Sequence, residues 1–151
     1  MDKELLVEQV SKKIKLIRVE YRYTQDRMAA ILGLSKKTLV QIEKERTVAN
    51  WTIIVAVCAL FPESEVLKGL LGDAPLEIIE TIAHDQVDRS GERVIKGRVW
   101  WTTSDERKRF KLQQNVISQH YRIIDELGNR WYSSFDKEAA LFRYSQLTKS
   151  E

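Results

Sequence analysis

The sequence predicts an α+β protein, in which an N-terminal all-α region is followed by a small antiparallel β-sheet and a C-terminal helix. Two observations carry this expectation. Up to about residue 83 the apolar residues recur every three or four positions, which is the period of helices packed along one side. From about residue 92 the chain is rich in β-branched and aromatic residues, in short runs separated by turn-forming residues, as in β-hairpins.

Length and composition limit the classes of protein. The 151 residues provide for one ordinary domain or two small ones, and 43% hydrophobic with 31% charged residues is typical of a globular protein. The longest apolar run, residues 53–61, is much shorter than the ~20 residues of a membrane span. The N-terminus lacks the pattern of a signal peptide. We therefore expect a cytoplasmic protein with no membrane association.

The all-α region divides into five predicted helices and a sixth that follows them. The first is expected to be one long helix over residues 2–21, because its apolar positions form a continuous stripe. The stripe consists of Leu6, Val10, Ile14, Ile17 and Tyr21. The other helices are expected over residues 24–33, 35–44, 51–61, 64–71 and 76–83. Gly33 ends the second helix, where a left-handed residue is needed, and Ser35 caps the third.

These elements give three predicted segments. Residues 1–72 form a five-helix domain that ends at a Gly-Asp-Ala-Pro break, residues 73–91 form a helix and a linker, and residues 92–151 form the sheet with its helix. Strands are expected over residues 94–103 and 110–116, joined by a charged turn at residues 104–109, and over residues 120–125 and 130–135, joined around Gly128 and Asn129. Asp136 caps the closing helix, and residues 148–151 are expected to fray. Its predicted apolar seam comprises Ala140, Leu141, Tyr144 and Leu147.

Basic residues are concentrated in one part of the chain. Residues 11–46 contain ten lysines and arginines against four acids, a local excess of six, whereas the whole chain has a net charge of +3. Such a local excess is the electrostatic pattern expected where a protein meets phosphates, although a solvated helix surface gives the same pattern.

The predicted third helix has a polar face suited to reading DNA. Leu39 and Ile42 are expected to point inward, so the remaining long side chains lie on the opposite side of the helix. Lysine can donate to guanine, glutamine can pair with adenine through two hydrogen bonds, and valine can contact the thymine methyl group. The predicted base-reading residues are Lys36, Lys37, Val40 and Gln41.

Residues 14–71 resemble the DNA-binding domain of the lambda-repressor and Cro type, the XRE family. The similarity lies in the order and spacing of residues 14–18, 24–29, 33–35, 36–44 and 64–67, about two-fifths of the chain. It implies a helix-turn-helix that binds double-stranded DNA in a sequence-specific way, with residues 35–44 as the recognition helix. The residues expected to contact phosphates are Thr24, Gln25, Ser35, Lys44 and Arg46.

The resemblance also assigns structural roles. It implies an ion pair between Arg18 and Glu43, which we favour over a DNA contact of Arg18. Glu45 stands where the family usually has glycine, and residues 48–50 stand where it usually has a proline. We therefore expect the loop after the recognition helix to follow a different path.

The role of residues 92–151 is left open by the sequence. The aromatic residues of this segment are expected mainly to form its core: Trp100, Trp101, Tyr121, Trp131, Tyr132 and Phe135. With the basic residues around them they could instead stack unpaired bases or bind an acidic partner. Those basic residues are Arg93, Lys96, Arg98, Arg107, Lys108, Arg109 and Lys111. Leftover apolar surface could also mediate dimerisation or hold a ligand.

The favoured function is a transcriptional regulator, a repressor rather than an activator, that binds a near-palindromic operator as a homodimer. The alternative is an antitoxin or adaptor whose C-terminal sheet binds a protein partner, and a third possibility is RNA binding by that sheet. An enzyme is not expected, because no catalytic motif occurs. No cofactor or metal is expected either, since His84 and His120 lack ligands at suitable spacing and Cys58 is interpreted as a core residue.

Overall fold

A computed structural model describes residues 1–88 and 100–150, and it has the α+β organisation that the sequence predicts. The chain divides into two compact units, Met1–Ser90 and Gly91–Glu151. None of the helices in the described residues is both long and apolar enough to cross a membrane.

The N-terminal unit is built from seven helices in its described residues. They are α1 (Lys3–Ser11), α2 (Ile14–Glu20), α3 (Gln25–Leu32), α4 (Lys36–Glu43), α5 (Trp51–Leu60), α6 (Glu65–Leu71) and α7 (Pro75–His84). The predicted single helix over residues 2–21 is wrong, because the chain bends at Lys12 and Lys13 between α1 and α2. The apolar stripe continues through the bend, and for this reason periodicity alone does not reveal it. The bend allows α1 to pack against α5 while α2 packs against α4 and α6.

One hydrophobic core holds this unit together. It includes Leu6, Ile17, Met28, Leu39 and Ile54, each completely buried. Cys58 is a core residue too, and burial raises the pKa of its thiol to about 11, which keeps it protonated. Ile79 of α7 also joins this core, so part of the segment predicted as helix and linker, residues 73–91, packs with the N-terminal unit.

Side-chain caps fix where several of the helices begin. At five helix starts the residue before the helix accepts a backbone N–H from three residues further on. These capping residues are Asp2, Thr24, Ser35, Asn50 and Ser64. Because each cap satisfies an amide that the helix itself leaves unpaired, the start of the helix is defined locally.

The C-terminal unit is a four-stranded antiparallel sheet with one helix on it. Its strands are β1 (Trp101–Arg107), β2 (Phe110–Asn115), β3 (Tyr121–Asp125) and β4 (Arg130–Ser134), in the spatial order β1-β2-β3-β4, and α8 (Lys137–Lys149) packs on β2, β3 and β4. The predicted turn at residues 104–109 is too long, because β1 continues to Arg107 after an irregularity between Thr103 and Asp105. The expected strand residues 94–99 lie outside the described residues, as do the basic residues Arg93, Lys96 and Arg98.

The closing helix differs from its prediction at two positions. Leu141 is 40% exposed, whereas Ala140, Tyr144 and Leu147 are buried. Thr148 is buried instead of frayed, and its hydroxyl donates to the carbonyl oxygen of Tyr144 at 2.9 Å. The inward face of α8 is therefore shifted by part of a turn from the predicted seam.

The expected aromatic core of this unit is largely wrong. The buried apolar side chains belong instead to Phe110, Leu112 and Ile123 of the sheet, together with those on α8. Tyr121 and Tyr132 pack at the margin of this core, but Trp100, Trp131 and Phe135 are exposed. Aromatic content alone did not show which faces of the strands these rings occupy.

Candidate nucleic-acid interface

The α3 and α4 helices are joined by a tight turn, and this pair contains the predicted DNA-contacting residues. Gly33, at φ +71°, ends α3 in the left-handed conformation that glycine adopts without steric cost. The amides of Gly33 and Leu34 return to the carbonyl oxygens of Ala30 and Ala29, at 3.3 and 2.8 Å. This is the hydrogen-bond pattern of a Schellman motif, and it directs the chain from α3 into the cap of α4.

The α4 helix has one buried and one accessible side. Leu39 and Ile42 are buried in the core. At 100° per residue, the opposite side is centred on Lys37, Gln41 and Lys44. Lys37 and Lys44 are exposed and Gln41 is half-buried. The helix therefore presents amine and amide groups away from the core.

Lys36 and Val40 lie along one border of this accessible side. The Nζ atom of Lys36 is 3.2 Å from Asp26 Oδ2 on α3, and both side chains are exposed. Exposed ion pairs of this kind contribute little stability and exchange readily with other partners. Lys36 can therefore leave Asp26 for a nearby anion, while Val40, which is half-buried, offers methyl groups one turn further along the same border.

The helix starts hold three of the predicted phosphate-contacting residues. Thr24 Oγ1 accepts the amide of Arg27 at 3.1 Å, and Ser35 Oγ accepts the amide of Thr38 at 3.1 Å. Gln25 is the first residue of α3, and its amide belongs to the first turn, whose N–H groups have no acceptor within the helix. Both helix N-termini thus place N–H groups and a partial positive charge near their caps.

Arg18 and Glu43 form a nearly buried ion pair that connects α2 to the end of α4. Arg18 Nη2 lies 2.8 Å from Glu43 Oε1, and Nε donates to both carboxylate oxygens at 3.1 Å. Nη1 donates to the carbonyl oxygen of Tyr23 at 2.9 Å. With side chains 15% and 3% exposed, the pair holds α4 in place and leaves the Arg18 guanidinium turned inward.

The loop after α4 begins at Glu45, whose φ of +57° is left-handed. The amides of Glu45 and Arg46 donate to the carbonyl oxygens of Ile42 and Gln41, both at 3.0 Å, so this helix also ends in a Schellman motif. Glutamate thus occupies a conformation that favours glycine. Lys44 and Arg46 are exposed on either side of it.

Three features of this region were not found by sequence reasoning. Thr38 is exposed on α4, and its hydroxyl lies 2.8 Å from Ser35 Oγ. Ser11 Oγ accepts the amide of Ala49 at 2.9 Å and ties the loop after α4 to α1. The Glu20 carboxylate accepts the Ser64 hydroxyl at 2.5 Å. The two tertiary contacts join residues far apart in sequence, so no local pattern announces them, whereas the exposure of Thr38 follows from helix periodicity.

Metal-ligating side chains do not gather in the described part of the chain. No group of three or more histidine, cysteine, aspartate or glutamate residues there is arranged to hold a metal ion.

Comparison with known proteins finds a similarity over part of the chain. No family model matches the chain, and no solved structure matches it. The chain is 30% identical over 95 residues to a curated protein of Pyrococcus horikoshii named "Putative HTH-type transcriptional regulatory protein". The aligned region covers 56% of this chain but 30% of the relative, so the chain spans less than a third of that protein. Over more than half of its length, the chain is thus similar to a regulator of the helix-turn-helix type.

Proposed function

We propose that this protein is a transcriptional regulator of the lambda-repressor and Cro type that reads double-stranded DNA in the major groove with α4. One observation carries the proposal: α4 follows α3 through a tight turn, and its side opposite the core presents Lys37, Gln41 and Lys44. The similarity to a helix-turn-helix regulator supports it.

Base readout is assigned to four residues of α4. Lys37 and Gln41 lie near the centre of the accessible side, where their amine and amide reach the groove floor. Lys36 and Val40 read from one border of that side. Lysine donates to guanine, glutamine pairs with adenine, and the valine methyl groups contact thymine. Each well-formed bidentate contact discriminates against a wrong base by about 1–3 kcal/mol.

Phosphate contacts are assigned to the N-termini of α3 and α4 and to the residues that follow α4. Thr24, Gln25 and Ser35 are at helix N-termini, where backbone N–H groups and the helix dipole favour anions. Lys44 and Arg46 follow α4 and supply charge. These contacts fix the register on the duplex and contribute affinity without sequence information.

A homodimer on a near-palindromic operator is the proposed functional form. One recognition helix reads only a few base pairs, and two copies separated by one DNA turn of about 34 Å extend the site. Repression is the proposed outcome, because occlusion of a promoter requires binding alone.

The test is selection of randomised duplex DNA by the full chain at fixed salt concentration. The variant Lys36→Ala/Lys37→Ala/Gln41→Ala should lose the selected motif, because all three changes lie on the proposed reading face. A control that also removes two lysine charges, Lys15→Ala/Lys68→Ala on α2 and α6, should recover the same motif as the unmodified protein. Recovery of a two-fold-symmetric motif supports the dimer; equal recovery by the reading-face variant contradicts the proposal.

A second candidate function is binding of a protein partner by the C-terminal unit, as in an antitoxin or adaptor. The observation that favours it is the exposure of apolar side chains in two turns of the sheet, where Ile117 and Leu127 are 72% and 82% exposed. Light scattering of the chain mixed with the protein encoded beside its gene would test this. A stable mixed complex that Leu127→Ser weakens supports this candidate, and two unchanged separate species contradict it.

A further inference from the structure

One face of the C-terminal sheet is not covered by any described element of its own unit. The α8 helix packs on the face that contains Phe110, Leu112 and Ile123. Side chains alternate between the faces of a strand, and directly paired residues share a face. Across the strands, Arg122 pairs with Gln113 and with Ser133. Ile124 pairs with Lys111 on one side and with Arg130 on the other. All of these residues therefore lie on the face opposite to α8.

We call this opposite side the open face and define it by its aromatic and cationic residues. These are Trp101, Lys111, His120, Arg122, Arg130 and Phe135. Contacts between neighbouring rings place three of them at one end. The ring centroid of His120 is 5.0 Å from that of Trp101 and 5.6 Å from that of Phe135. Phe135 is 76% exposed, so a large flat ring is presented to solvent beside this group.

The cations lie beside the aromatic end. The Arg122 guanidinium carbon is 3.5 Å from the centroid of the Trp101 ring, and its Nε donates to Gln113 Oε1 at 2.9 Å. The guanidinium is therefore held in a defined plane on top of the ring. Gln113 in turn donates to Thr103 Oγ1 at 3.2 Å, so the support of Arg122 extends across β2 to β1.

The charges on the open face are not balanced. In the described residues no carboxylate lies within ion-pair distance of Arg122 or Arg130, and Lys111 has one acidic neighbour, Glu106, at 3.8 Å. Burial, and then the positive charge of Arg130, lower the pKa of Arg122. Two neighbouring arginines that no described carboxylate neutralises favour an anion at this place.

We propose that the open face binds single-stranded DNA, with a base stacked on Phe135 and the phosphate backbone following Arg122, Arg130 and Lys111. Aromatic rings next to a line of cations are the combination that single strands require, because unpaired bases stack while their phosphates are neutralised. Bases of a duplex are already stacked and are not available to an exposed ring. The Gln113 side chain is already hydrogen-bonded to Arg122 and Thr103 and is therefore not available to bind a 2′-hydroxyl group of RNA. Base stacking and phosphate contacts need no 2′-hydroxyl group, so DNA satisfies the site.

The first test is fluorescence anisotropy of a labelled oligothymidine of about 16 nucleotides, within the range of known site sizes, titrated with the full chain. Phe135→Ala should weaken binding about tenfold, since stacking on an aromatic ring contributes that order of affinity. The control Phe142→Ala removes an equally large ring that is 67% exposed on α8, and it should leave affinity unchanged. Equal loss or equal retention in the two variants overturns the proposal.

The charge component has its own matched pair. Arg130→Gln should weaken binding several-fold and reduce the salt dependence, because one fewer counterion is released. Arg143→Gln removes an arginine from α8 and should change neither quantity. The same slope in both variants contradicts a phosphate contact by Arg130.

Further measurements test which surface binds the single strand, the open face or α4. They also test whether the ligand is single-stranded DNA or another polyanion. The variant Lys36→Ala/Lys37→Ala/Gln41→Ala should retain oligothymidine binding, so the proposal stands or fails independently of readout by α4. Loss of binding in that variant would place the single strand on α4. Oligouridine that binds tenfold more tightly than oligothymidine would overturn the assignment to DNA, and equal competition by polyglutamate would indicate an acidic polypeptide instead.

Discussion

The two units use their large side chains differently. The N-terminal unit is built on one continuous apolar core and leaves lysines and glutamine on α4 accessible. The C-terminal unit has a small core and keeps some aromatic rings at the surface, as with Trp131, which is 43% exposed and lies under the guanidinium of Arg109 at 5.1 Å. In the first unit the aromatic rings pack in or against the core, whereas in the second several of them remain exposed.

The small core of the C-terminal unit gives the largest expected effect. Phe110 is almost completely buried and its ring meets Trp131 edge-on at 5.3 Å. Phe110→Ala should destabilise this unit by about 3–5 kcal/mol, since a large cavity replaces the ring. Urea unfolding followed by tryptophan fluorescence and hydrogen exchange should show loss of the sheet with the N-terminal helices retained. Simultaneous loss of both units would show that their stabilities are coupled, and Phe142→Ala serves as the exposed control.

The buried ion pair of the N-terminal unit gives the next effect. Glu43→Ala removes the carboxylate that Arg18 meets through three hydrogen bonds and leaves a nearly buried guanidinium without it. We expect a loss of about 3 kcal/mol in the free energy of unfolding. The double variant Arg18→Met/Glu43→Leu should recover much of that loss, because no unpaired charge remains. If the single and double variants are equally unstable, the cost is one of packing and not of charge.

The helix caps and the buried ion pair show which features of the fold can be predicted from the sequence. Helix starts such as Thr24 and Ser35 are predictable because cap and helix are adjacent in sequence. The contact of Arg18 with Glu43 crosses 25 positions, and only the resemblance to a known family indicated it. The break at Lys12 and the exposure of Phe135 were missed, since both depend on packing partners that local periodicity does not encode.

Gly33 and Glu45, at the ends of α3 and α4, both have a left-handed backbone conformation. Substituting them should change the stability of the protein by smaller amounts and in opposite directions. An added Cβ at Gly33 meets no atom within 4 Å, so Gly33→Ala tests conformation alone and should cost about 1 kcal/mol. Glu45→Gly should stabilise the protein by about 0.5–1 kcal/mol, because relief of left-handed strain exceeds the added flexibility of the unfolded chain. Glu45→Gln removes the charge but keeps the conformation. If it stabilises as much as Glu45→Gly in urea unfolding, electrostatics and not strain is the cause.

Asp125 gives the last effect, a dependence of stability on pH that is confined to acidic solution. Its carboxylate accepts the Nε1 hydrogen of Trp131 at 3.0 Å and the amides of Leu127 and Asn129 at 2.9 Å, which closes the turn between β3 and β4. These hydrogen bonds, that of Trp131 foremost, lower the pKa of Asp125 from 3.8 to about 2. Because the folded state holds its proton less tightly than the unfolded state, the carboxylate stabilises the C-terminal unit above pH 3.8 and this contribution is lost as the pH falls towards 2.

Thermal melting between pH 2 and 6, followed by near-ultraviolet circular dichroism of the tryptophans, measures this dependence. Asp125→Asn should flatten the acidic limb, since the substituted side chain does not titrate, while Asp26→Asn, at an exposed carboxylate in the N-terminal unit, should leave that limb unchanged. The prediction is wrong if Asp125→Asn keeps the full acidic limb. In that case the turn would tolerate a protonated carboxyl, and the surface aromatic Trp131 would be held by its contacts with Phe110 and Arg109 and not by its hydrogen bond.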